Sequence, residues 1–208
     1  MIHKPGPLET DSEGHVLHAK NAWAFQRGTR VALLNYTRAN DAGHIAYMLW
    51  QLMQSEDILL SYFHEEFVAR HGASRGDLAC FLEHYLLAPD RYVYLVMDAE
   101  APQCDLPSIL GMIDFGVSLP QRHAKIGIWM RRGITTAARE AGELATCLAF
   151  CLFPIETIFG MSPHAYIVRF GLRCGWEALP AIPDYYAQAP LYLVRMTRAH
   201  CEKGLQDA

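Results

Sequence analysis

Several things are missing from this chain, and each absence excludes something. No apolar run approaches the roughly 20 residues that a helix needs to cross a bilayer. The longest, around Leu144 to Phe153, lies inside a helix-period pattern, so no membrane partner is expected. The six cysteines (Cys80, Cys104, Cys147, Cys151, Cys174 and Cys201) form no Cys-x-x-Cys pair, which argues against a zinc ribbon or finger. There is no His-Glu-x-x-His run. The pair His15 and His18, with Glu13 nearby, lies in a polar segment without rigid support, so no metal is expected. There is no basic excess either. Lys and Arg number 18 against 22 Asp and Glu, a net charge of -4, which disfavours general nucleic-acid binding through phosphates. The first residues, MIHKPGPLETDSEGH, contain no apolar h-region, so no secretory signal is expected. Together with scattered thiols this points to a reducing, cytoplasmic setting.

What is present suits one globular domain. The chain has 208 residues, 51% of them hydrophobic, enough to bury a full core without staples. Residues 1–29 are mixed and polar and read as an N-terminal extension, with the domain running from 30 to 208. Strands are predicted where aliphatic and aromatic residues concentrate: Arg30–Arg38, Arg91–Asp98, Ile109–Val117, Ala124–Arg131, a short one within Pro154–Met161, Trp176–Leu179 and Leu191–Thr197. Helical spacing covers 43–53 through Ile45, Met48, Leu49 and Leu52, then 55–70 and 74–87, with Asp41 as an N-cap. Further helices follow from Ala137 to Phe153 and from His164 to Cys174. The segment 180–190, PAIPDYYAQAP, reads as a loop. The fold class is α+β, with a mixed central sheet flanked by helices.

The turn Arg131-Arg132-Gly133-Ile134-Thr135-Thr136 joins a strand to a long helix. Unsatisfied N–H groups and the helix dipole make such a start a phosphate site. Gly133 permits close approach, and Thr135 or Thr136 can cap the helix or donate to a phosphate. Arg132 and Arg139 add charge. A plain strand-to-helix turn with a Thr cap is the alternative reading.

The order strand (AKIGIWMRR), turn (GITT), apolar helix, short strand (PIETIFGM), helix (HAYIVRFGLRC) and Gly175-Trp176 resembles the cofactor-binding half of the GNAT superfamily, acyl-coenzyme A-dependent N-acyltransferases. The resemblance covers about Val31 to Arg198, with an extra helix after the first strand. It implies acetyl-coenzyme A, or another acyl-coenzyme A, as cofactor, with the pyrophosphate held at Arg131, Arg132, Gly133, Ile134, Thr135 and Thr136. The family's signature is degenerate here, because Met130 and Thr135 replace its usual residues. Aligning the Gly-aromatic pair puts His164 at the family's Asn position, where the resemblance would have it contact the pantetheine arm, an ordinary helix N-terminal residue after Pro163 being the alternative reading, and Gly171 where many members carry a thiolate-protonating Tyr. An N–H near Met161 would stabilise the oxyanion. The fourth and fifth family strands, Ile126–Arg131 and Ile155–Met161, would splay to admit pantetheine.

The fourth strand offers no carboxylate, so Asp114 on the preceding strand is the candidate base or water-orienting group. An outward-facing charge on a half-exposed strand is its alternative. His123 is a weaker candidate. Tyr185 and Tyr186 are expected to line the acceptor side, with Trp50, Tyr62 and Phe63 nearby. The acceptor would be an amine on a small molecule or a protein, and a homodimer is compatible with the chain. The rival function is a catalytically degenerate GNAT scaffold used for binding or for phage virion assembly.

Overall fold

The computed structural model describes residues 25–35, 47–49, 51–52, 91–100, 108–186 and 189–206. Most of the polar extension, the helices read over 55–70 and 74–87, and the residues Glu13, His15, His18, Asp41, Trp50, Tyr62, Phe63, Cys80 and Cys104 lie outside them. Of the first predicted helix, 47–49 and 51–52 are helical, and Met48, Leu49 and Leu52 are buried, as their spacing predicts.

Eight strands form one mixed sheet in the order β1-β2-β3-β4-β5-β6-β8-β7. They are β1 Phe25–Arg27, β2 Val31–Asn35, β3 Arg91–Asp98, β4 Ile109–Ser118, β5 His123–Met130, β6 Thr157–Ser162, β7 Glu177–Tyr186 and β8 Ala189–Thr197. Strand β1 falls inside the segment read as an extension and pairs with β2 at the sheet edge. β3, β4 and β5 form an antiparallel meander. Alternation along them sends Tyr92, Tyr94, Val96, Ile113, Phe115, Ala124 and Ile126 to one face, where they meet helix α1, Thr135–Leu152. The opposite face carries Val93, Leu95, Met97, Met112, Asp114 and Trp129, all buried.

Helix α2, Tyr166–Arg173, lies on the α1 side and stops by a Schellman motif. The Trp176 N–H donates to Gly171 O at 2.8 Å and the Gly175 N–H to Leu172 O at 3.2 Å. Gly175 has φ +76°, a left-handed conformation that a glycine adopts freely. The buried Trp176 then starts the chain into β7. The Gly-Trp pair is thus a helix stop joined to a core anchor.

The predicted loop 180–190 is a correction. It is largely strand: β7 continues through Pro180 and Pro183 to Tyr186. Prolines are tolerated because β7 is the sheet edge, so its outer N–H groups have no ladder to serve. The register shifts between Leu179 and Ile182 and again between Ile182 and Tyr186, and these bulges absorb both prolines and Asp184, which has φ +51°. Helix α3, Arg198–Gln206, has no counterpart among the sequence expectations. Its surface is mostly polar. Arg198 anchors it, donating from Nε to Ile155 O at 3.0 Å and from Nη2 to Phe153 O at 2.8 Å.

Gly171 faces the sheet. A Cβ there would lie 2.8 Å from Val194 Cγ1 and 3.1 Å from Val194 Cβ. Replacing Gly171 with Ala is therefore expected to destabilise the protein by about 1–3 kcal/mol through overpacking. Replacing the exposed Leu172 beside it should stay within about 0.5 kcal/mol. Equilibrium denaturant curves on the two variants check this, and equal midpoints would contradict the close approach.

Candidate functional site

β5 and β6 are the only parallel neighbours among the described strands. Their ladder holds for four residue pairs, from His123↔Thr157 to Ile126↔Gly160, and then ends. Both strands continue beyond that point. β5 stays paired with β4 as far as Met130↔Gly111, and β6 with β8 as far as Ser162↔Tyr192. The two strands are therefore held from outside while parted from each other. From Gly127 and Met161 onward, their facing N–H and C=O groups have no strand partner in the sheet. Polar backbone in such a gap requires water or a ligand that offers amides of its own.

The turn to α1 sits at the open end of β5. The Arg131 N–H is bonded to Leu110 O at 2.8 Å, which fixes the strand end. Gly133 has φ +83°, and a Cβ built on it would meet nothing within 4 Å. The N-cap is Ile134, and no side chain caps the helix. This corrects the expected Thr cap: Thr135 and Thr136 are exposed first-turn residues whose hydroxyls do not close the helix start. The first helical bond runs from the Ala138 N–H to Ile134 O at 2.9 Å. The N–H groups of Thr135, Thr136 and Ala137 precede it and have no intrahelical acceptor. No acidic residue occupies the first turn, so the positive end of the dipole is not neutralised there. Arg132 is exposed on the turn, and Arg139 is paired with Glu143 at 2.7 Å, one turn away. Glu140, on the other side of the helix, accepts from the backbone N–H groups of Thr29 and Arg30 and fixes α1 to the β1–β2 turn.

Asp114 lies next to the point of separation. It is opposite Gly127, the first β5 residue past the ladder, and Gly127 carries no side chain. Asp114 is only 3% exposed, which overturns the reading of an outward-facing surface charge. Its Oδ2 accepts from Arg91 Nη1 at 2.7 Å. Arg91 is 30% exposed at the side chain and is a partner that sequence inspection missed, since nothing local links residues 23 apart. Trp129 shares that face. It is buried, and its indole Nε1–H has no hydrogen-bond partner among the described residues. His123 is at the closed end of β5, edge-on to Phe159, away from the opening.

On the β6 side, Met161 is partly exposed beyond the last parallel pair. His164 follows, exposed and stacked on Tyr166 with ring centroids 5.8 Å apart. Its N–H donates to Ser162 Oγ at 3.1 Å. Gly171, at the position where the resemblance would place a Tyr, packs against β8 and leaves no room for a side chain. Tyr94 is no substitute acid: it is fully buried in the core, and burial raises its pKa well above the ordinary phenol value, with Asn35 opposing that rise. Tyr185 is 58% exposed near the β7–β8 turn. β8 begins at Ala189, before Tyr192, the partner of the last residue of β6, so β8 runs past the end of β6. Tyr186 ends β7, with Ala189 as its partner. The structure thus places Asp114 opposite the first β5 residue past the ladder, the 131–136 turn after the end of β5, Met161 and His164 past the last parallel pair of β6, and Tyr185 near the end of β7. Among the described residues, no three His, Cys, Asp or Glu side chains converge as a metal site, and no helix is long and apolar enough to cross a membrane.

No protein-family model and no curated protein sequence matches the chain. Solved structures do match. A probable GNAT-family acetyltransferase from Chromobacterium violaceum superposes with TM-score 0.66 at 16% identity, covering 89% of this chain and 94% of that one. A GCN5-related N-acetyltransferase from Brucella melitensis gives 0.67 at 15%, covering 88% and 84%. Spermidine N-acetyltransferase from Vibrio cholerae, solved with coenzyme A and spermine, gives 0.62 at 13%, covering 84% and 99%. The chain has the GNAT fold.

The Arg91–Asp114 pair generates an asymmetric prediction. Arg91→Met leaves a buried carboxylate without its cation, and it should cost more stability than Asp114→Asn, by about 1–2 kcal/mol. In the second variant the partly exposed guanidinium can turn to water. Urea denaturation of both variants checks this, and equal losses would contradict the ion pair as drawn.

Proposed function

We propose that this protein is an acyl-coenzyme A-dependent N-acyltransferase, with acetyl-coenzyme A as the simplest donor and an amine on a small molecule or protein as acceptor. One observation carries the reading: the gap between β5 and β6 opens beside an uncapped helix N-terminus. An ester of pyrophosphate and a chain of amides match those two features in order. N–H groups of the turn 133–137 would bind the pyrophosphate, with Arg131 and Arg132 adding charge. Free backbone groups of β5 and β6 would pair with pantetheine amides, as an added strand pairs with a sheet edge. His164 would contact the pantetheine arm.

The backbone N–H near Met161 would then stabilise the thioester oxygen as negative charge develops. The amine nitrogen bonds to the carbonyl carbon, the carbon–sulfur bond breaks and the amine loses a proton. Asp114 would orient the incoming amine or a water that takes its proton. Its ion pair with Arg91 suits an orienting charge better than a free base. Gly171 cannot supply an acid, so sulfur would leave as thiolate, which a thiol near its ordinary pKa allows at modest cost. Tyr185 would stand at the acceptor entrance. The rival scaffold reading would be favoured by a side chain filling the turn, whereas the space over Gly133 is open.

Acetyl-coenzyme A at one hundred times its dissociation constant should stabilise the protein by about 2.7 kcal/mol, seen as a raised melting temperature. Gly133→Val forces a β-branched residue into the left-handed region and should weaken coenzyme A binding at least tenfold in isothermal titration. Asp114→Asn should lower turnover and leave cofactor affinity within twofold. A wild-type protein that shows neither a thermal shift nor titration heat with acetyl-coenzyme A would overturn the reading.

A further inference from the structure

An indole nitrogen is a donor and nothing else, so a buried Trp with an unpaired N–H bears the full cost of stripping that group of water. Trp129 is in that position. It is 3% exposed, and its Nε1–H has no hydrogen-bond partner among the described residues. A buried donor left open in a native fold needs a reason, and its place in the sheet supplies one. Strand register pairs Trp129 with Met112 and Gly127 with Asp114, and alternation puts all four on the face opposite α1. Asp114 and Trp129 are therefore diagonal neighbours on adjacent strands, with backbones about 7–8 Å apart. Gly127 is the corner between them on β5, and it has no side chain to fill that corner. It is also the first β5 residue past the parallel ladder, so the corner borders the gap. Asp114 is the one carboxylate in β4 and β5, yet it accepts from Arg91 and takes no hydrogen bond from the indole.

We propose that Trp129 selects the acceptor: its Nε1–H binds the carbonyl oxygen of an α-amino carbonyl compound, a peptide amino terminus or an amino-acid amide, whose nitrogen lies against Asp114. This rests on the acyl-transfer reading, in which Asp114 orients the amine. The chemistry of the corner narrows the class. A donor on one side and a carboxylate on the other match a ligand whose amine and oxygen are joined through two carbons. An alkyl amine or a polyamine has no oxygen, so it leaves the indole unpaired. A free amino acid brings a second carboxylate beside Asp114, and like charges in a buried site repel strongly. The single charge of Arg91 is already engaged by Asp114 and does not neutralise both. A peptide or amide carbonyl is neutral, and an uncharged donor such as indole suits it.

Trp129 takes no part in proton transfer. Its bond to the carbonyl fixes the rotation of the ligand, which holds the amine nitrogen toward the gap where the thioester would lie. Recognition through a buried N–H discriminates sharply, because an analogue without the oxygen leaves that N–H unpaired in the complex as well. The residue therefore acts on the choice of acceptor and on KM more than on the chemical step.

The test uses the full chain labelled with nitrogen-15 in its indole rings. The chain has four tryptophans, and Trp129→Phe identifies the indole signal that belongs to position 129. Alanine amide, trialanine with a free amino terminus and butylamine are titrated in turn, with and without saturating coenzyme A. The amide and the peptide should move the Trp129 N–H signal downfield and slow its exchange with water, whereas butylamine leaves it in place. In acetyl-transfer assays, Trp129→Phe should raise KM for trialanine about tenfold and leave KM for butylamine within about twofold, with kcat little changed for either. A merely structural role would raise both KM values together. If the phenylalanine variant fails to fold, sequential assignment of the parent chain identifies the signal and the titration decides alone. A signal that butylamine moves as far as trialanine does, or that no amine moves, overturns the assignment. Failure of the acyl-transfer reading shows separately, as no heat with coenzyme A and no acetylated product, and the indole titration without coenzyme A needs neither.

Discussion

The structure depends on two neighbouring parallel strands that are forced apart. β5 and β6 share four residue pairs and then separate, because each is held along its outer side by an antiparallel partner. A sheet does not leave a row of interior backbone groups unpaired without a compensating partner, since each buried unmade hydrogen bond costs about 1–3 kcal/mol. The opening is therefore a cost to the fold that water or a bound ligand would offset. α1 starts at that opening because the parallel ladder ends at Ile126↔Gly160, so β5 runs on into the open end before it hands the chain to the helix. An uncapped helix start, a glycine with positive φ and an unpaired backbone row thus arrive together from a single connection.

Much of this was legible in the sequence. The runs RYVYLVMD, ILGMIDFGVS and HAKIGIWM are rich in β-branched and aromatic residues, and all three are strands. Helix α1 has small residues at Ala141, Ala145 and Ala149, which are buried in the core shared with the sheet, and Gly142 where Phe170 and Cys174 approach, and its period was plain. Gly175 followed by Trp176 marked the end of α2. The edge hairpin was misread because prolines usually signal loops. That rule fails on an edge strand with bulges, where neither the missing N–H nor the fixed φ disturbs a ladder. Helix α3 was missed for the opposite reason. It has few apolar residues, and its place is set by Arg198 and a thiol rather than by a hydrophobic stripe.

Site residues were legible in kind and less so in role. A carboxylate in an apolar strand drew attention to Asp114, but its ion pair with Arg91 is a product of strand register and has no local signature. Gly171 shows how a residue carried over from a family can change its meaning. At that position the chain needs the absence of a side chain, because α2 lies against Val194, and an inserted Tyr would be a steric fault rather than a restored acid.

Amide hydrogen exchange with and without acetyl-coenzyme A tests the central claim most directly, because it reads the backbone groups of the gap themselves. The account predicts added protection in two separate stretches, 128–137 across the end of β5 and the start of α1, and 160–164 at the end of β6. The distant β1–β2 edge should stay unchanged. Protection confined to any other part of the sheet, or no change in either stretch at saturating ligand, would contradict it.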